Sequence, residues 1–277
     1  MKLTLGFSTC PNDTFIFDAM VHGKIDTEGL IFEPFMADVE ELNRRAFRHD
    51  IHITKLSFHA FAHVAGHYKL LRAGSALGRN NGPLLIAREN LAVGKMEKGI
   101  VAIPGKYTTA NLLFSIYFPK AGRKKEILFS DIEDALLHKE ADAGVIIHEN
   151  RFTFEKKRLV KLADLGELWE AETGMPIPLG GIVVDDSLPP EIQLRVERVL
   201  RRSVEHGRAH AGSPSSFVRQ HAREIDAEVI RQHIALFVNE YTVDLGETGI
   251  NAISMLIRRA HELGIIDSVP SHFMAGS

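Results

Sequence analysis

The chain has a single cysteine, Cys10, so it holds no internal disulfide, and a cytoplasmic location is expected. It has no excess of positive charge: a formal net charge of −3 leaves no global field to gather nucleic acid or an anionic membrane. The short basic runs, RKK at 123–125 and RR at 201–202, read as solvated faces. No apolar stretch approaches the roughly 20 residues of a membrane span. The opening MKLTLGFSTCPND sets one lysine before an alternating strand instead of a long apolar core, so it is not expected to act as a secretory signal. Several ligand signatures are also missing. GSALGRNNG (74–82) spaces its glycines four apart and lacks the G-x-G-x-x-G dinucleotide pattern. IPGKYTT (103–109) lacks the spacing of a phosphate loop, and no HExxH zinc pattern is present. There is no internal repeat and no low-complexity tract.

What is present is an ordinary globular composition, 45% hydrophobic and 25% charged over 277 residues, enough for one large domain or two smaller ones. Short β-branched or aliphatic runs predict strands at 2–8, 30–35, 51–56, 68–76, 83–88, 99–104, 126–129, 143–149, 158–163 and 180–185. Helical patterns follow many of them, at 13–22, 38–48, 58–66, 108–118 and 130–139. This alternation predicts an α/β fold with largely parallel sheets. After residue 185 only helices are expected, beginning with a long amphipathic one whose prolines sit at its first turn, then at 213–222, 225–237 and 246–263. Two lobes are predicted: a larger one from 1–88 plus 186–277 and a smaller one from 99–179, with crossings at 89–98 and 180–185. A central cleft between two such lobes is a common home for a small ligand.

Ligands of open α/β sheets sit beyond the carboxyl ends of the strands, which directs attention to three strand–helix junctions. FSTCPNDTF (7–15) offers Ser8, Thr9, Asn12 and Asp13; TKLSFHA (54–60) offers Lys55 and Ser57; IPGKYTTANLL (103–113) offers Thr108 and Thr109 after Gly105. Each has a plain explanation, since Ser, Thr, Asn and Asp are good helix caps. Taken together, helix N-termini beside Lys55 would make an anion site. His148 closes the apolar run of AGVIIHENRF (143–152), either as a partly exposed strand end or as a base able to take a proton near neutral pH. Its neighbour Glu149 should point to the opposite face of the strand. Ser75, Asn80 and Asn81 lie in a loop that could touch a ligand. His59, His63 and His67 form one helical stripe, but no acidic residue joins it, and no metal is expected. Cys10 reads as a small loop residue and Trp169 as packing.

STCPNDTF, TKLSFHA, GSALGRNNGPLL, IPGKYTTANLL, AGVIIHENRFTF and LGELWEAETGMPIPLGGI, in this order along the chain, resemble the 1,4-dihydroxy-6-naphthoate synthase family of menaquinone biosynthesis by the futalosine route. The resemblance implies a type II periplasmic-binding-protein-like fold. It implies a small carboxylate substrate, cyclic dehypoxanthine futalosine, which carries a sugar remnant and is split to 1,4-dihydroxy-6-naphthoate and dihydroxyacetone. It also implies that the proton acceptor is His148, and that Lys55, Leu56, Ser57, Thr108 and Thr109 bind substrate; Asn12 and Ser75 stand as further binding candidates from their places in the first junction and the 74–82 loop. The chemistry implied is that of a carbon–carbon lyase, base-initiated and without a cofactor. Two alternatives stand beside it: the sister chorismate dehydratase of the same route, which shares the fold, and a cytosolic protein that only binds a small anion.

Overall fold

In KLTLGF, alternation puts Leu3, Leu5 and Phe7 out of solvent, and the first strand, β1 (Lys2–Phe7), forms around them. The chain is described by a computed structural model over residues 1–91, 93–210, 215–222 and 226–276, without the side chains of residues 93, 94 and 149. Two compact units emerge, one built from Met1–Gly78 and Pro178–Ser277, the other from Arg79–Ile177.

The first unit opens with β1, α1 (Pro11–Val21), β2 (Ile31–Met36), α2 (Val39–Ala46), β3 (Ile53–Ser57), α3 (Phe58–Val64), β4 (Tyr68–Leu70) and β5 (Ala76–Gly78). The second holds β6 (Leu84–Ala87), α4 (Val93–Lys98), β7 (Ile100–Ile103), α5 (Thr109–Tyr117), β8 (Arg123–Glu126), α6 (Ile132–Leu137), β9 (Ala143–Ile146), β10 (Val160–Asp164) and α7 (Leu165–Thr173). The chain returns to the first unit through β11 (Ile177–Asp185), then α8 (Pro190–Ala209), α9 (Ser216–His221), α10 (Ala227–Phe237), α11 (Glu240–Val243) and α12 (Gly246–Glu262).

The sheet of the first unit runs β2-β1-β3-β11-β4, with β5 also on β11; that of the second runs β10-β6-β9-β7-β8. Both are mixed, where largely parallel sheets were expected. β1 is parallel to β2 and β3, and β7 to β8 and β9. β11 runs against β3 and β4, and β6 against β9 and β10. β6 and β11 follow the two passages of the chain between units, so no strand–helix–strand crossover forces them parallel. The pairing of β6 with β9 also assigns 84–87 to the second unit's sheet, where the sequence placed 1–88 in the first lobe.

Other boundaries moved for local reasons. The strand expected at 68–76 is broken, because the backbone N–H groups of Arg72 and Ala73 donate to the Glu197 carboxylate at 2.6 and 3.1 Å instead of to a neighbouring strand. The strand expected at 126–129 lies earlier, as β8, a charged edge strand; Phe129–Asp131 is a turn of 3-10 helix. The helices expected at 213–222 and 225–237 begin in residues outside the described ones, and their described parts are α9 and α10. The helical stretches Leu165–Thr173 and Glu240–Val243 were not expected.

The core of the first unit packs β1 and α1 against one stripe of α8, through Val196, Val199, Leu200 and Val204. Ser203 completes that stripe without leaving a polar orphan: its hydroxyl donates to Ile16 O at 2.6 Å and accepts from Met20 N at 3.1 Å. The core of the second unit gathers Leu84, Ile86, Ala102, Ile132, Leu136, Ile146 and Phe154. Among the described residues, no helix is long and apolar enough to cross a membrane.

One ionic junction ties the first unit's helices to its sheet. Asp244, ahead of α12, accepts from Arg72 at 2.9 Å, from Gly246 N at 2.8 Å and from Arg201. Burial raises its pKa, but the bonds from Arg72, Gly246 and Arg201 outweigh that and hold the carboxyl at about 2. A depressed carboxylate stabilises the fold above its ordinary pKa and loses that contribution as pH falls toward the depressed value. Thermal unfolding from about pH 4 to pH 2 is therefore expected to show a flatter acid limb in Asp244→Asn than in wild type. The junction is partly exposed, so the difference should be modest and shrink with added salt.

Candidate functional site

In the first unit β1 and β3 are parallel, so Phe7 and Ser57 end at the same edge of the sheet. The turn after β1 ends at Pro11, the first residue of α1, where a missing N–H does no harm. Asp13 follows in that first turn, 2% exposed. Its Oδ2 accepts from Ser8 N at 3.2 Å and Ser8 Oγ at 2.7 Å, and its Oδ1 accepts from Asn12 Nδ2 at 2.8 Å. Lys55 Nζ lies 3.1 Å from Oδ1, an ion pair with both side chains buried. That ammonium makes no well-aligned hydrogen bond among the described residues, so its N–H groups are left for something else. Asn12 Oδ1 lies 2.9 Å from His233 Nε2 on α10. Since the Asn12 amide nitrogen is committed to Asp13, the imidazole nitrogen is the donor.

Ser57 is the cap residue of α3 by backbone position, but its side chain makes no capping bond. Asn43 of α2 holds it on both sides: Asn43 Oδ1 accepts from Ser57 N at 3.0 Å, and Asn43 Nδ2 donates to Ser57 Oγ at 3.3 Å. Leu56 is fully buried, so only its backbone can serve a ligand. Gly180 pairs with Ser57 across β11, and a Cβ there would stand 2.5 Å from Leu56 O, which explains the glycine. Ser75 is also fully buried, and its hydroxyl has no hydrogen-bond partner among the described residues.

In the second unit β7 and β9 are parallel, so Ile103 and Ile146 end at one edge; β6 is antiparallel, so the residues that precede it reach the same edge. Three candidate segments meet there. Thr108 caps α5: its hydroxyl donates to Gly105 O at 2.9 Å and accepts from Asn111 N at 3.2 Å. Thr109, the first residue of α5, is 2% exposed. His148 lies just past β9, but it does not close a strand. The ladder stops at Ile146, and His148 opens a 3-10 helix, His148–Phe152, in the left-handed conformation at φ +58°. The chain is drawn round by Arg151, which donates to Gly82 O and pairs with Asp164 at 2.9 Å. The His148 ring stands edge-on to Phe129, centroids 4.8 Å apart. The side chain of Glu149 lies outside the described residues.

The structure thus gathers Asn12, Lys55 and Ser57 at one sheet edge, and Thr108, Thr109 and His148 at another. It adds residues that the sequence did not single out: Asn43, whose place in mid-helix carries no signal, and His233, which meets Asn12 across 221 positions of chain. Asp13 read only as a cap, yet it anchors Lys55. The histidine stripe does not persist, since His67 lies beyond α3 with its ring 4.0 Å from that of His49. Trp169 is 1% exposed and donates to Pro176 O at 3.1 Å, which is packing.

A family model for menaquinone biosynthesis matches residues 3–262. A 1,4-dihydroxy-6-naphthoate synthase of Thermus thermophilus is 41% identical over 97% of both chains. A crystal structure of a protein from Archaeoglobus fulgidus superposes with a TM-score of 0.91 at 31% identity, covering 96% of this chain and 98% of that one. A Candida albicans protein described as having the generic periplasmic binding protein fold gives a TM-score of 0.69 at 10% identity, over 98% of this chain and 92% of that one, a likeness of fold alone.

Proposed function

Because the chain belongs to the menaquinone biosynthesis family, we infer that it acts there as a 1,4-dihydroxy-6-naphthoate synthase. The observation that carries this is the 41% identity over 97% of both chains with a synthase of that name. The substrate is then cyclic dehypoxanthine futalosine, and the products are 1,4-dihydroxy-6-naphthoate and dihydroxyacetone.

His148 is assigned the role of proton acceptor. Removal of an acidic C–H proton starts the cleavage that expels the three-carbon fragment and leaves an aromatic ring. The oxidation level of that ring is already present in the substrate, so the reaction is proposed to run as a carbon–carbon lyase without a redox cofactor. Lys55, Ser57, Thr108 and Thr109 orient the substrate and stabilise developing negative charge. Support comes from the Lys55 ammonium, which keeps hydrogen-bonding capacity beside Asp13, and from the fixed positions of Ser57 by Asn43 and of Thr108 by its cap. Leu56 would contribute its backbone, Ser75 its unbonded hydroxyl, and Asn12 its hold on Asp13. With such a biosynthetic role, the proposed location is the cytoplasm and the proposed substrate a small carboxylate.

The test is a mass-spectrometric assay with cyclic dehypoxanthine futalosine and no added cofactor. Formation of both products is expected. Binding without turnover would make the chain a receptor, and conversion of chorismate instead would make it the sister dehydratase.

A further inference from the structure

We propose that Asn81 is a substrate-binding residue of the second unit, whose side-chain amide takes a hydroxyl-bearing part of the ligand; this rests on the synthase assignment, whose substrate carries a sugar remnant. Asn81 is 2% exposed, and among the described residues neither its Oδ1 nor its Nδ2 has a hydrogen-bond partner. A buried amide with both ends unsatisfied is costly to the free fold, and such groups are rare unless they serve something else.

The segment around it is not loose. Before it, Arg79 donates to Gly174 O at 2.7 Å, and Asn80 N donates to Glu170 Oε1 at 2.7 Å. After it, Gly82 O accepts from Arg151, and Gly82 packs so closely on Gly166 that a Cβ would stand 2.4 Å from the Gly166 backbone. Both neighbours are therefore fastened, while the amide between them is left unbonded. The position also suits the chemistry. The last pair of β6 and β9 is Leu84 with Ile146, and Asn81 and His148 each lie two or three residues beyond it, at the same end of the sheet. Arg151, from the helix that His148 opens, holds the residue next to Asn81.

The amide's own pattern narrows the ligand. It presents donors and an acceptor side by side. A carboxylate only accepts and would leave Oδ1 facing negative charge. A hydroxyl both donates and accepts, so a hydroxyl or a vicinal pair satisfies both ends of Asn81.

The experiment measures kcat, KM and the thermal midpoint for wild type, Asn81→Leu and Asn81→Ala, with cyclic dehypoxanthine futalosine as the probe. Leucine nearly conserves volume, and alanine adds no bulk. Expected are a fall of about 10–100-fold in kcat/KM, mostly through KM, and a midpoint unchanged or raised by about 2–4 °C in at least the alanine variant. Wild-type kcat/KM in either folded variant overturns the proposal. So does a lowered midpoint in both, because it would mean that the amide holds the fold together. If only the leucine variant is destabilised, the kinetics of the alanine variant decide. Absence of product from wild type would instead sink the synthase assignment; the midpoints then decide on Asn81 alone, an unchanged or raised value supporting a ligand-serving amide and a fall overturning it.

Discussion

Replacing His148 by asparagine is expected to lower kcat by about 10²–10⁴-fold with KM little changed, the range that a positioned general base supplies. Asparagine is the informative replacement because of the backbone. His148 sits at φ +58°, where most side chains are strained and asparagine is tolerated. An alanine variant would lose the ring and strain the turn together, which confuses chemistry with folding. A histidine held in this conformation, with its ring edge-on to Phe129, marks a constrained position. A glycine variant serves as the control: it relaxes the turn and must lose activity to the same extent. The thermal midpoints of both should stay near wild type. A kcat within a few-fold of wild type in His148→Asn would remove the base from His148.

Asp13→Ala is expected to be the most destabilising single change at the first unit's site, by about 3–5 kcal/mol. The cost comes less from what is removed than from what is left. Lys55 would remain 6% exposed, with its nearest counter-charge gone and no well-aligned hydrogen bond. Ser8 and Asn12 would lose the acceptor for three hydrogen bonds as well. Adding Lys55→Met should therefore return much of the lost stability, since deleting both partners of a buried pair costs far less than deleting one. It should not return activity if Lys55 binds substrate. Urea unfolding of the single and double variants, read beside turnover, separates the two effects. A double variant no more stable than Asp13→Ala would show that the ion pair is not the source of the loss.

Much of this was legible in the sequence where local rules and the final fold agree. Alternation and strand–helix order gave the α/β class, and polar residues at the ends of apolar runs marked the junctions that carry Asn12, Ser57, Thr108 and His148. Errors arose where a distant partner overrode a local pattern. The run that holds His148 reads as strand over 143–149, yet the ladder ends at Ile146, and Arg151 turns the chain by reaching Gly82, 69 positions away. The break after β4 is made by Glu197, 125 positions from Arg72. β8 carries Arg123, Lys124, Lys125 and Glu126, which a charged and exposed edge strand tolerates but no hydrophobic pattern announces. Asn43 and His233 were invisible for the same reason: each acts on a junction residue that only the folded sheet brings near.

The strand order of the first unit also constrains how the chain can be assembled as it leaves the ribosome. Among the described residues, β4 and β5 both pair with β11, β4 also bridging Met274 through Leu70, and one side of β3 stays bare until β11 arrives. β11 starts at Ile177, after the whole of the second unit. The second unit, continuous from Arg79 to Ile177, has every strand it needs before β11 is complete. Domains fold as units during synthesis, and pairings between distant segments close late. The first 78 residues therefore hold a half-built sheet until β11, synthesised only after the whole of the second unit, is there to complete it.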